Sequence, residues 1–322
     1  MKAAVRTKYG LPGDLTIKEL SIPLPKDDEL LIRVRASTVN RTDCHVLSGK
    51  PLLMRLFTGI FSPRAHIIGS DFAGQVESVG SAVQNFKTGD KIMGFGGAFG
   101  CGSHAEYFTM REAKARRVII SMPSNVTYLE AAACLEGAVY AAAQINFLQP
   151  KQGQKALVYG ATGAIGLAYV QFLAYYGTYI TAVCKQENDA LVKSLGAAKT
   201  IDYTKDDFTK DNEQYDFVFD AVGKTSFFKC KKLLKKDGLY TSSGGAENLL
   251  LVLITPILGS KRVVFSFKQR ISTALSFIKD LIEKGKFRPV IDREYPIGEI
   301  TEAYQYVAKG QKIGNVIIAM DK

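Results

Sequence analysis

The 322-residue chain has no closely spaced cysteine pair. Its five cysteines, at positions 44, 101, 134, 184 and 230, are scattered, odd in number and without a C-x-x-C unit. That argues against a disulfide framework and a structural zinc site, and for a reducing compartment where each thiol behaves as a small apolar residue. Long hydrophobic runs are missing too. The longest, residues 249–258, is interrupted by Thr255 and Pro256 and falls short of the roughly 20 residues that cross a bilayer. The opening MKAAVRTKYG has no signal-peptide pattern and moves straight into strand-like alternation. A cytoplasmic protein without a membrane span is expected. Acidic residues are in deficit, with 31 Asp and Glu against 42 Lys and Arg, a net charge of +11. This balance suits anionic ligands. Two basic clusters stand out, 111–117 (REAKARR) and 229–236 (KCKKLLKK). The second reads as a helix with Leu233 and Leu234 inward and lysines in water, a solvated face rather than a nucleic-acid surface. No internal repeat or low-complexity segment is visible.

What is present divides at about Pro123. The first third reads as β-rich: in 29–37, Ile32, Val34 and Ala36 alternate with Arg33 and Arg35, the period of a half-buried strand. Residues 69–80 and 89–95 are further strands bounded by glycines, and Gly94, Gly96, Gly97, Gly100 and Gly102 crowd into a loop. Thr127 to Glu130 is a capping box opening an alanine-rich helix to about Asn146. Strands (155–159, 179–184, 216–220, 238–243, 263–267) then alternate with helices (165–176, 189–195 and the lysine-rich segment), the pattern of a doubly wound parallel sheet. Helices at 271–284 and 300–307 and a strand at 315–319 close the chain.

Within that alternating region, Gly160, Gly163 and Gly166 sit between a strand and a helix, and a second strand ends about 20 residues on. Glycines at such a turn let backbone N–H groups approach a pyrophosphate, and the helix N-terminus adds positive potential. The segment predicts a nicotinamide dinucleotide site built from Gly160, Thr162, Gly163, Ala164, Ile165 and Gly166; the alternative is a structural turn without a ligand. At the tip of the second strand an NAD site places an acid against the ribose 2′-OH. Here Cys184 and Lys185 stand there, and a lysine attracts a 2′-phosphate, so NADPH is expected ahead of NADH. Glu187 becomes the ribose acid on a small register shift, and Lys185 is otherwise a surface lysine. Tyr203, after the third strand, is placed at the adenosine end. The cofactor site is expected to extend to Val222, Ser243, Phe265, Phe267 and Asn315, with the two phenylalanines either flanking the nicotinamide or filling the sheet.

Taken together, MKAAV at the start, V-N-R-T-D at 39–43, G-S-D-F-A-G at 69–74, G-D-K at 89–91, the glycine loop and T-I-D-Y at 200–203 are similar to the medium-chain dehydrogenase/reductase superfamily. The chain resembles its zinc-free quinone oxidoreductase branch over essentially its whole length. The resemblance implies an α/β protein: a GroES-like β-rich catalytic domain from 1–122 and a C-terminal return at 268–322, with an inserted Rossmann NADP-binding domain at 123–267. It implies an active cleft at the domain junction and a homodimer joined through the edge strand near 263–267. Asn40 and Ser70 stand where zinc-dependent relatives carry cysteine and histidine ligands, and neither suits a tetrahedral N/S zinc site. The relatives' structural-zinc loop is also missing, so no metal is expected.

Without a Lewis acid for an alkoxide, the easiest reaction is hydride transfer to a small, lipophilic, electron-poor acceptor, a quinone or an α,β-unsaturated carbonyl. Asn40 is read either as a donor to the developing oxyanion or as a strand-end cap, Thr42 as a proton relay or a structural hydroxyl, and Asp43 as the residue that orients their loop. Residues 50–63, with Leu53, Leu56, Phe57, Ile60 and Phe61 at roughly helical spacing, form either a wall for the acceptor or a core helix. The competing functions are a metal-free carbonyl reductase or alcohol dehydrogenase-like enzyme, and a non-catalytic NADPH-sensing or RNA-binding protein.

Overall fold

The computed structural model describes residues 1–244, 246–265 and 270–320. Strand β1 (Lys2–Val5) pairs antiparallel with β2 (Thr16–Glu19). The expected alternation is realised in β3 (Glu29–Val39), where Ile32, Val34 and Ala36 are buried and Arg33 and Arg35 half-buried. Helix α1 (Arg41–Ser48) follows at once and stops at Gly49. Its φ of +61° is left-handed, and a Cβ there would meet the Tyr9 ring at 2.6 Å, so only glycine fits the helix end. A short α2 (Arg55–Thr58), β4 (Asp71–Val79), β5 (Lys91–Phe95), β6 (Tyr107–Arg111), α3 (Glu112–Val118) and β7 (Ile119–Ser121) come next.

The capping box forms as expected. Thr127 Oγ1 accepts from the Glu130 amide at 3.3 Å, and the Glu130 carboxylate accepts from the Thr127 amide at 2.8 Å. One long helix does not follow. Helix α4 (Tyr128–Ala133) ends in a turn at Cys134, and α5 (Glu136–Leu148) begins afresh. An Asp71 carboxyl oxygen, 3.4 Å from the Glu136 amide, accepts from the new N-terminus, whose first-turn N–H groups have no partner within the helix.

Next come β8 (Lys155–Tyr159), α6 (Ala164–Tyr175), β9 (Tyr179–Cys184), α7 (Asp189–Ser194), β10 (Lys199–Asp202), β11 (Tyr215–Asp220), α8 (Phe227–Cys230), β12 (Leu234–Ser242), α9 (Ala246–Leu258) and β13 (Arg262–Val263). The six strands form one parallel sheet in the order β10-β9-β8-β11-β12-β13. The order reverses between β8 and β11, the switch point where such sheets bind ligands at their carboxyl edge. Two expectations are corrected here, and one helix is added that the sequence alone leaves unassigned. The lysine-rich helix ends at Cys230, and Leu234 already belongs to β12, because Leu234 pairs with Tyr215 of β11 and the Lys235 amine reaches the Asp216 carboxylate at 2.7 Å. The apolar run at 249–258 is part of a helix; Thr255 Oγ1 donates to the Leu251 carbonyl and accepts from the Val263 amide. The expected edge strand at 263–267 is limited to Arg262–Val263 among the described residues.

Helix α10 (Ile271–Glu283), β14 (Ile291–Pro296), α11 (Ile300–Ala308) and β15 (Asn315–Ala319) return the chain to its start. β15 runs antiparallel to β3, with Ile317 opposite Thr38, in a seven-stranded sheet ordered β14-β15-β3-β4-β5-β7, with β6 also on β3. The chain thus forms two units, Met1–Val139 with Arg270–Lys322, and Tyr140–Gln269. Each has its own core, around Ile32, Phe72 and Val316 in the first and Leu157, Val218 and Tyr240 in the second. The class is α/β, a β-rich domain interrupted by a doubly wound one.

Candidate active site

At the carboxyl edge of the parallel sheet, β8 gives way to the glycine loop. Gly160 has φ +76°, and a Cβ on it would strike Val222 Cγ1 at 2.6 Å. A Cβ on Gly166 would lie 2.2 Å from the Gly160 carbonyl oxygen, so the third glycine lets α6 sit against the loop. Gly163, the N-cap of α6, is different: its φ is −73° and its Cβ position meets only the Gly160 oxygen, at 3.7 Å. The outer side of that turn is open. The loop forms a cradle in front of the N-terminus of a 12-residue helix, where free N–H groups and the helix dipole favour an anion.

The neighbouring strand ends meet it. The Gly160 and Ala161 amides both donate to the Val183 carbonyl at 3.2 Å, which places Cys184 and Lys185 beside the loop. Cys184 is buried, and its thiol is pushed up to about 11 by that burial. Lys185 is half-exposed, with Nζ 3.7 Å from the Glu187 carboxylate. Beyond these tips lies a surface cavity of ≈ 280 Å³ lined by Cys184, Lys193, Thr200, Asp202 and Lys205. Tyr203, directly after Asp202 in β10, is 47% exposed.

Sequence reasoning missed the residue that fixes this edge. Asp220, at the end of β11, is buried and accepts from the amides of Val222, Gly223 and Thr225 at 3.1, 2.8 and 3.2 Å. The Tyr240 and Ser242 hydroxyls donate to Oδ2, the oxygen that also takes the Thr225 amide, each at 3.2 Å. Ser243 is held through its amide, which donates to the Asp220 carbonyl at 2.9 Å.

The first unit carries a separate buried polar cluster. Asp71 accepts from the Thr38 amide at 3.0 Å and from its hydroxyl at 2.7 Å. Asn40 Nδ2 donates to Thr38 Oγ1 at 2.5 Å and lies 3.4 Å from Asp71. Ser70 Oγ donates to the Glu136 carboxylate at 2.5 Å. Burial pushes Asp71 up to about 7 and raises Glu136 and Asp43 above the usual carboxylate range. For Glu136 the Ser70 and Thr42 hydroxyls and Lys312 pull the other way. Lys312, the cation facing these carboxylates, is itself pushed down to about 8 by burial. His104 is buried as well and pushed down to about 4. Single polar residues separated by tens of positions leave no periodic signal, which is why Thr38, Glu136 and Lys312 are not legible as a cluster in the sequence.

The expected cofactor residues Gly160, Thr162, Gly163, Ala164, Ile165, Gly166, Cys184, Lys185, Val222 and Ser243 thus lie on one sheet edge, with Tyr203 at the end of the adjoining strand. Asn40, Thr42 and Asp43 lie together at the start of α1. Asn40 occupies the N-cap position, and its amide N–H is held by Asp43 Oδ2 at 2.8 Å. Asn315 is in the first unit with its side-chain amide on the Val290 carbonyl at 3.2 Å. Phe265 follows β13 and is half-buried, while Phe267 and the side chain of Leu53 lie outside the described residues. The core-helix reading of 50–63 is overturned: Leu56, Phe57, Ile60 and Phe61 are exposed, because the short α2 turns its one buried residue, Thr58, inward instead.

Known proteins share this arrangement. Residues 26–123 match the family model described as the alcohol dehydrogenase GroES-like domain, and residues 195–318 match the one described as zinc-binding dehydrogenase. The chloroplastic NADPH-dependent alkenal/one oxidoreductase of Arabidopsis thaliana is 30% identical over 99% of this chain and 79% of its own. The chloroplastic quinone-oxidoreductase homolog of Spinacia oleracea is 28% identical over 99% of this chain and 98% of its own. The solved quinone oxidoreductase from Coxiella burnetii superposes with a TM-score of 0.86 at 25% identity, covering 99% of each chain. The chain belongs to the medium-chain dehydrogenase/reductase superfamily, in its quinone oxidoreductase-like branch, and is an oxidoreductase of that type.

Proposed function

We propose that the protein is an NADPH-dependent, zinc-independent reductase that delivers hydride to a quinone or an α,β-unsaturated carbonyl. The observation that carries this reading is the cradle at 160–166, open at Gly163 and closed to any side chain at Gly160 and Gly166. The relatives support the acceptor class, since their names specify alkenal/one, 2-methylene-furan-3-one and quinone reduction.

When bound, the dinucleotide supplies a hydride to an acceptor whose new charge spreads over an enolate or a phenolate. The protein's own residues bind and orient. The amides of the loop and the first turn of α6 hold the pyrophosphate. Lys185 takes the 2′-phosphate, and small, neutral Cys184 leaves room for it. Asp220 keeps Val222 and Ser243 in place on the nicotinamide side. Thr42 passes a proton to the enolate or phenolate left by hydride addition and is resupplied by the Glu136 carboxyl, which burial keeps inclined to hold one. Asn40 and Asp43 position that loop.

Zinc, which one family description implies, does not fit this donor set. Asn40 and Ser70 are committed to Thr38 and Glu136, and among the described residues no group of three or more His, Cys, Asp or Glu is arranged to hold a metal ion. A cytoplasmic location and a homodimer joined at the β13 edge complete the proposal. A panel of quinones, enones and simple aldehydes assayed with NADPH and NADH tests it. Turnover of quinones or enones with NADPH in preference to NADH is expected, in protein without stoichiometric zinc; turnover of aldehydes alone would replace it with carbonyl reduction.

A further inference from the structure

Residues 50–64 form a short knob on the first unit, pinned on its inner side and apolar on its outer one. Tyr9 makes the pin. Its hydroxyl lies 2.7 Å from Thr58 Oγ1 and donates to the Gly59 carbonyl at 2.6 Å, while the Arg55 guanidinium lies 4.6 Å from the Tyr9 ring centre. The Gly59 amide donates to the Arg55 carbonyl at 2.9 Å and the Arg64 amide to the Thr58 carbonyl at 2.8 Å, closing the turn. Outside, Leu52, Leu56, Phe57 and Ile60 are each more than half exposed, and Phe61 is 95% exposed. Phe57 stacks on Phe99 from the glycine-rich loop, ring centres 5.2 Å apart, which extends the apolar surface.

Apolar surface presented on a fixed scaffold marks an interaction site, and its charge indicates the partner. From residue 44 to residue 70 the sequence contains no Asp or Glu, but it contains Lys50, Arg55 and Arg64. Lys50 and Arg64, which flank the apolar tip, are exposed. The whole chain carries a net charge of +11. We infer that the knob docks on an anionic lipid bilayer, inserting Phe61 and its apolar neighbours at the headgroup boundary while Lys50 and Arg64 meet the lipid phosphates. Apolar wedges with a basic rim bind such surfaces without spanning them, and among the described residues no helix is long and apolar enough to cross a membrane. This inference stands apart from the proposed reaction. It would give a lipophilic acceptor a short path from the bilayer.

The chain contains no tryptophan, so Phe61→Trp places a single reporter at the tip. Full-length protein with this substitution is mixed with phosphatidylcholine vesicles with and without phosphatidylserine, and the unsubstituted protein is sedimented with the same vesicles. The expected results are a blue-shifted emission, quenched by brominated lipid, with the anionic vesicles only, and salt-sensitive co-sedimentation. Lys50→Glu with Arg64→Glu, and separately Phe57→Ser with Phe61→Ser, should each weaken sedimentation about tenfold or more without lowering the melting temperature. Failure to bind anionic vesicles, or binding unchanged by both double substitutions, would overturn the inference. So would a blue shift produced by a lipophilic quinone but not by vesicles, which marks an acceptor wall, or one that grows with protein concentration in the absence of lipid, which marks self-association.

Discussion

Asp71 and His104 grip the same residue from different sides. The Asp71 carboxylate accepts from the amide and hydroxyl of Thr38, while His104 Nε2 donates to the Thr38 carbonyl at 2.9 Å. That bond assigns the neutral Nε2–H form, leaving Nδ1 to accept from the Tyr304 hydroxyl at 3.1 Å. Burial acts on the two in opposite senses. Asp71, moved from 3.8 up to about 7, keeps a proton in the folded chain that it loses when unfolded, so its stabilisation is greatest at low pH and disappears as pH rises through about 7. His104, moved from 6.5 down to about 4, contributes stability above 6.5 that is lost as pH falls towards 4. Between pH 4 and 6.5 their slopes oppose each other.

Denaturant titrations across that window should separate them. Relative to the unsubstituted protein, Asp71→Asn should gain stability with rising pH by on the order of 1 kcal/mol per pH unit, and His104→Gln should lose it at a similar rate. Three parallel curves would contradict the assignment of both groups.

The glycine loop separates a ligand site from a mere turn. Gly163→Ala adds a methyl into open space at an ordinary φ, so the variant should melt like the parent yet bind NADPH about tenfold more weakly or worse. Gly166→Val, which collides with the Gly160 carbonyl, should lower the melting temperature as well. Unchanged NADPH affinity in a well-folded Gly163→Ala protein would reduce the loop to a structural connection.

Much of this edge is legible in the chain itself. β8 and β9 appear at 155–159 and 179–184 as expected, because short continuous apolar runs bounded by glycine or a polar tip read clearly as buried parallel strands. The glycines carry their own geometry. Glu136 and Asp220 do not, since an acid inside or beside an apolar run looks the same whether it faces water or a buried ring of donors. Ser70 lies 66 positions from Glu136, and Tyr304 lies 200 from His104. The split between α4 and α5 was hidden for the same reason, since the carboxylate beside the new N-terminus comes from Asp71. Asn40 is legible as a candidate, but only the fold shows its amide turned to Thr38.

In the proposed reaction, cofactor preference rests on Lys185. Lys185→Glu should weaken NADPH at least about tenfold more than NADH, since the substitution sets a negative charge against the 2′-phosphate. Glu187→Gln should act the other way, by removing the carboxylate 3.7 Å from the Lys185 amine. Equal effects of Lys185→Glu on both cofactors, measured by fluorescence titration, would take Lys185 out of the phosphate site.

The proton route predicts a pH signature. Thr42→Val should lower kcat by on the order of 10² while changing KM little. In the parent, kcat should fall at high pH as the raised Glu136 carboxyl is lost, and Glu136→Gln should flatten that limb. A limb that persists unchanged in Glu136→Gln would place the proton source elsewhere.

The most direct test follows the hydride itself. Unlabelled enone is reduced with NADPH carrying deuterium at both C4 positions, and the product is read by NMR and mass spectrometry. One deuterium on the β-carbon, with the α-hydrogen drawn from water, is the expected result. Deuterium on the carbonyl carbon, or an unlabelled product, would contradict conjugate hydride delivery and with it the proposed reaction.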